Sequence, residues 1–110
     1  MENYVPPIEN LPTREAVIDS LKSNPGDKTL LNAYRDDVLE KESGGFPTVE
    51  SEMEIARIYR EAGLLKEALG YFDDAWIRMR ELKEYNEKTA LQEELQNAIW
   101  DLEDELGIQG

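Results

Sequence analysis

The 110-residue chain contains no cysteine and no histidine. The first absence excludes disulfides and thiolate metal sites. The second removes the commonest general base and the commonest metal-binding imidazole. Most familiar hydrolase constellations are therefore excluded, and any catalysis would fall to carboxylates, Tyr, Lys or Ser. No nucleophile elbow, phosphate-cradling glycine loop or dinucleotide fingerprint occurs. Long apolar runs are lacking too, since nothing approaches the ~20 residues needed to span a bilayer. The start, Met1-Glu2-Asn3-Tyr4, has no basic region leading into an apolar stretch. A cytoplasmic address is expected. Basic side chains are scarce, with 12 Lys and Arg against 25 Asp and Glu and a formal charge of −13. Such a surface repels nucleic-acid phosphate and the anionic membrane leaflet. The expectation is no enzyme, no cofactor, no metal, no membrane and no direct contact with nucleic acid.

Apolar residues make up 40% of the chain, and there are 5 prolines and 7 glycines. This composition lies on the globular side of the boundary with disorder, and the length suits one domain with one core. Pro6, Pro7 and Pro12 mark residues 1–12 as an extended arm, because proline fixes φ and removes a donor. Residues 13–110 form a single helical domain. Thr13 is a good N-cap ahead of Val17, Ile18 and Leu21, predicting a helix over 14–23. Asn24-Pro25-Gly26-Asp27 combines a breaker, a turn residue and a new cap. Leu30, Leu31, Tyr34, Val38 and Leu39 then repeat at helical spacing, predicting a second helix over 28–42. Ser43-Gly44-Gly45-Phe46-Pro47 ends it.

Thr48 or Ser51 can cap a third helix, with Ser51 and Glu54 at capping-box spacing, and that helix should run to Ala62 before Gly63. Its apolar stripe is Ile55, Ala56 and Tyr59. A fourth helix runs from Leu65 or Lys66 through Ala68, Leu69, Phe72, Ala75, Trp76, Met79 and Leu82. The order of its charges suits the helix macrodipole and allows an Asp74–Arg78 pair one turn apart. A fifth helix over 87–106 carries one apolar seam of Leu91, Leu95, Ala98, Ile99, Leu102 and Leu106. Its other face sets Glu87, Glu93, Glu94, Asp101, Glu103, Asp104 and Glu105 against Lys88 alone. Trp100 lies off the seam beside Gln96, Glu103 and Asp104, where it could serve as a contact aromatic. The pattern as a whole predicts an all-α fold of five helices, without a sheet and about 65–75% helical.

Within the third and fourth helices, small residues recur where two helices approach closely and aromatics recur between them. Ala56-x-x-Tyr59 followed by Ala68-x-x-x-Phe72-x-x-Ala75 resembles the tetratricopeptide repeat (TPR). Ile55, Gly63, Leu65 and Glu67 also stand where that family places such residues. The match covers 49 to about 80 as one degenerate repeat. Glu52 replaces a usual aromatic or aliphatic residue, and Arg80 a common helix-stopping proline, so the fourth helix should overrun. The resemblance implies a TPR-like array of antiparallel helical hairpins, with one hairpin over 49–84 and a capping helix over 87–106. It also implies a role in protein–protein interaction, as an adaptor, chaperone or assembly factor binding a peptide or helix of a partner, which the acidity suggests is basic.

The 100° helical step places Met53, Arg57 and Arg60 on a face beside the inward stripe, the face that lines the groove in the resembling family. These three are the candidate partner-binding residues, with Met53 as an adaptable apolar contact and the arginines gripping carboxylates or carbonyls. The competing role for the arginines is pairing with nearby acids such as Glu61. An alternative function is an acidic nucleic-acid mimic that inhibits a basic DNA- or RNA-binding protein through the carboxylates of the fifth helix. A monomer is favoured, with a homodimer through 87–106 as the other arrangement.

Overall fold

In the computed structural model, residues 12–81 and 89–107 are described. Helices are α1 (Arg14–Ser23), α2 (Thr29–Tyr34, prolonged by a π-helical turn, Arg35–Leu39), α3 (Val49–Glu61), α4 (Leu65–Glu81) and α5 (Thr89–Leu106). Among the described residues there is no strand, as the periodicity predicts, and about 77% are helical, slightly above the expected share. The arm, 1–12, falls outside the described residues except for Pro12, as do the expected end of the fourth helix and the first two residues of the fifth.

α1, α2 and α3 each begin where a side chain satisfies an orphan backbone donor. The Thr13 hydroxyl accepts from the Ala16 N–H at 3.1 Å, and Asp27 Oδ1 accepts from the Thr29 N–H, also at 3.1 Å. The expected Ser51–Glu54 capping box gives way to one a turn earlier. Thr48 Oγ1 accepts from the Ser51 N–H at 3.0 Å and Ser51 Oγ from the Thr48 N–H at 2.8 Å. Glu54 is thereby released to face Arg14 and Arg57. At the other end of α3, Gly63 adopts φ +83°. The Leu64 N–H donates to the Tyr59 carbonyl at 2.9 Å and the Gly63 N–H to the Arg60 carbonyl at 3.0 Å. This doubly bonded C-terminus requires a left-handed residue and turns the chain directly into α4.

The second helix departs from expectation. Regular helix stops at Tyr34, and the Glu40 N–H reaches back five residues to the Arg35 carbonyl at 2.8 Å. One extra residue in that turn rotates the remainder of the segment by about 100°. Leu39, not Val38, therefore completes the inward row with Leu31 and Tyr34, while Val38 and Leu30 are exposed. Glu40 is also carried inside, where its carboxylate accepts from Ser51 Oγ at 3.2 Å.

α3 is the centre of the fold, packing on α1, on the π turn and most extensively on α4, while α4 also packs on α5. Ala56, Tyr59, Ala68, Phe72 and Ala75 are all buried. Tyr59 stacks on Tyr71, with ring centroids 5.4 Å apart. The seam of α5 is covered within the chain, since Leu95, Ala98 and Leu102 are buried. Glu52, at the start of α3, pairs with Arg78, near the end of α4, so α3 and α4 run antiparallel. Arg78 thus turns to Glu52 in place of the expected Asp74.

Candidate binding surfaces on either side of α5

α3 is buried on nearly all sides, and the least covered strip of it carries Glu50, Glu54, Arg57, Arg60 and Glu61. Met53 has 0% exposure. It cannot serve as the expected contact residue, because α3 is wrapped by the α1–α2 unit as well as by α4 and a single apolar stripe underestimates its buried arc. The π turn and α1, which close over this side, have no counterpart in a face count made on α3 alone.

Arg57 and Arg60 do share one side of α3, where they are engaged within the chain. Arg57 clasps Glu94 of α5 with two hydrogen bonds, Nε to Oε2 at 2.6 Å and Nη2 to Oε1 at 2.8 Å. Its third nitrogen, Nη1, reaches Glu54 at 3.3 Å. The Glu94 carboxylate, more than the loss of solvent opposing it, holds the Arg57 guanidinium above its ordinary pKa. Glu54 is shared with Arg14 of α1 at 2.7 Å, and Arg14 also pairs with Glu61. That bond to Arg14 pulls the Glu61 carboxyl below its usual range. Arg60 is held more loosely, 3.8 Å from Asp101 of α5. The charges form a chain, Glu61–Arg14–Glu54–Arg57–Glu94, that ties α1, α3 and α5 together. The order of the pairs 57–94 and 60–101 means that α3 and α5 run in the same direction. A cleft of about 330 Å³ lies between them, lined by Arg57, Arg60, Glu61, Glu94, Asn97 and Asp101 over a base of Phe72 and Ala98.

A second groove, of about 280 Å³, lies between α4 and α5 and is lined by Asp73, Trp76, Gln96, Ile99, Trp100 and Glu103. Trp100 is 59% exposed, and Ile77, next to Trp76 on α4, is 51% exposed. Asp73 is pushed above the ordinary aspartate value by partial burial first, then by the charges of Glu103 and Asp74. Among the described residues no lysine or arginine lines this groove. The signal for it is partly visible in the sequence, where Trp100 falls off the α5 seam. Asp73 and Trp76 belong to a different helix, and only the α4–α5 packing brings them beside it.

The sequence matches no protein-family model, no curated protein and no solved structure.

Among the described residues no group of three or more carboxylates converges as a metal site, and no helix is long and apolar enough to cross a membrane. Of the α5 acids, Glu94 and Asp101 turn to arginines of α3, which leaves fewer acids for a continuous phosphate-like face than the sequence suggests.

Proposed function

We propose that this chain is a non-enzymatic protein–protein interaction module, an adaptor, chaperone or assembly factor that binds a peptide or helix of a partner in the cytoplasm. The observation that carries the reading is the outer face of α4 and α5, where Trp100 exposes large apolar surface in a groove and Ile77 is exposed on α4 next to groove-lining Trp76. On so strongly charged a chain, an aromatic patch left open to water marks a contact surface. Tryptophan also supplies much binding energy for little ordering cost. The side-by-side course of α1, α3 and α5 lends support as well, since the tetratricopeptide family builds its ligand groove from such first helices of successive hairpins. On that reading Arg57 and Arg60 line the groove, with Arg60 the freer of the two.

The experiment is affinity capture from the source cell, followed by titration of the captured partner against two double variants. Trp100→Ala with Ile77→Ser should weaken binding at least tenfold while moving the thermal midpoint by only a few degrees. Arg57→Ser with Arg60→Ser tests the cleft between α3 and α5 in the same way, and a larger loss there would move the binding surface to it. If both double variants keep wild-type affinity, the chain does not bind through either surface and the reading fails.

A further inference from the structure

The groove between α4 and α5 has a chemical character more specific than apolarity. Its walls are indole and aliphatic, from Trp76, Ile99 and Trp100, and its acids, Asp73 and Glu103, are near enough to repel each other. Among the described residues no ion pair neutralises either acid, whereas Arg14, Arg57, Arg60 and Arg78 are all committed to other carboxylates. A partly desolvated carboxylate beside an exposed indole suits a cation on an aliphatic stem: the stem lies along the ring, the ring face attracts the charge, and the carboxylates complete its coordination.

We propose that the Trp76–Trp100 groove receives a lysine or arginine side chain carried on an apolar segment of a partner protein, with the cation held between Asp73 and Glu103 and its stem against Trp100. This rests on the protein-binding reading above and names the partner chemistry for one of its surfaces. Charge disfavours a second copy of the chain and its N-terminal segment as occupants. A second copy of the chain would bring its own −13 formal charge and the same two acids. Residues 1–11 of this chain contain Glu2 and Glu9 but neither lysine nor arginine.

The test uses the full chain, its tryptophan fluorescence, and two synthetic amphipathic peptides that share leucines at helical spacing and carry either lysine or glutamine at the polar positions. Wild type should bind the lysine peptide at least tenfold more tightly than the glutamine peptide. Asp73→Asn with Glu103→Gln should abolish that preference. Asp36→Asn with Asp37→Asn, which removes the same charge from the exposed π turn, should retain it. Trp100→Ala should weaken binding of both peptides, with helicity and thermal midpoint kept. Equal loss of preference in the two charge-neutralised proteins would overturn the proposal, because the attraction would then belong to the field of the whole molecule. Equal affinity of wild type for both peptides would overturn it too, while leaving a protein-binding surface in place if Trp100→Ala still weakens both. Binding of neither peptide, or lysine-peptide binding untouched by Trp100→Ala, would remove the groove as a docking site altogether.

Discussion

Tyr59 carries two roles that pull against each other. Its ring is fully buried and stacked on Tyr71, but among the described residues its hydroxyl, also inside, has no hydrogen-bond partner. Burial, reinforced by Tyr71 and Glu67, pushes the phenol up to about 12, so it stays neutral throughout the physiological range. An unsatisfied buried hydroxyl costs about 1–3 kcal/mol that phenylalanine would not incur. Tyr59→Phe should therefore leave the chain as stable as wild type or more stable by about 1 kcal/mol, read as the denaturant midpoint; a loss of stability would mean that the hydroxyl has a partner in solution. Ala68 gives the opposite sign. With 0% exposure in the α3–α4 hairpin it has no room to grow, and Ala68→Leu should cost about 1–3 kcal/mol through overpacking. An unchanged midpoint would mean that the two helices are not in close contact there.

At the scale of the element, the hairpin of α3 and α4 is closed at one end by the Gly63 turn and at the other by the Glu52–Arg78 pair. Glu52 is one of the two positions, with Arg80, at which the sequence departs from the tetratricopeptide pattern it resembles, and the pair with Arg78 is what occupies that place. Removing one partner strands a nearly buried carboxylate or leaves a guanidinium unmatched. Arg78→Ala should thus cost about 1–3 kcal/mol, less than for a fully enclosed pair because Arg78 is a third exposed. Glu52→Leu with Arg78→Leu restores apolar packing at both positions and should recover the wild-type midpoint or exceed it; a double variant less stable than Arg78→Ala alone would show that the site needs its charges. The helices themselves were legible because local signals agree: Thr13, Thr48 and Gly63 punctuate runs whose apolar spacing is helical throughout. The features that were not legible depend on neighbours. The π turn at 35–39 arises from how the second helix must rotate to seat Leu39 and Glu40 against α3. Met53 is buried on a helix that packs on α1 and the π turn as well as on α4. The Trp76–Trp100 groove needs two helices whose register no local pattern encodes.

Across the whole molecule, two acids, Glu61 and Asp73, have opposite consequences for stability. On the side of α1, α3 and α5, Glu61 is held below its usual range by Arg14. Its contribution is therefore present above the unfolded-state pKa and is lost as pH falls through the lower folded-state value. On the α4–α5 side, Asp73 is raised by burial and by its acidic neighbours. Its contribution is present below the unfolded-state pKa and is lost as pH rises through the folded-state value, so at neutral pH the charged form burdens the fold. Asp73→Asn should accordingly raise the thermal midpoint at pH 7, and the gain should shrink to nothing as pH falls below the ordinary carboxylate range. Glu61→Gln should lower the midpoint at pH 7 and have no effect in strong acid. Both substitutions remove one negative charge from a chain of net −13, so a general relief of self-repulsion would shift the two midpoints in the same direction. Opposite shifts, measured side by side at low salt where the screening length is longest, would locate the difference in the two sites. Shifts of the same sign would mean that Asp73 carries no burden beyond the common charge, and that a cation arriving there would have no local strain to relieve.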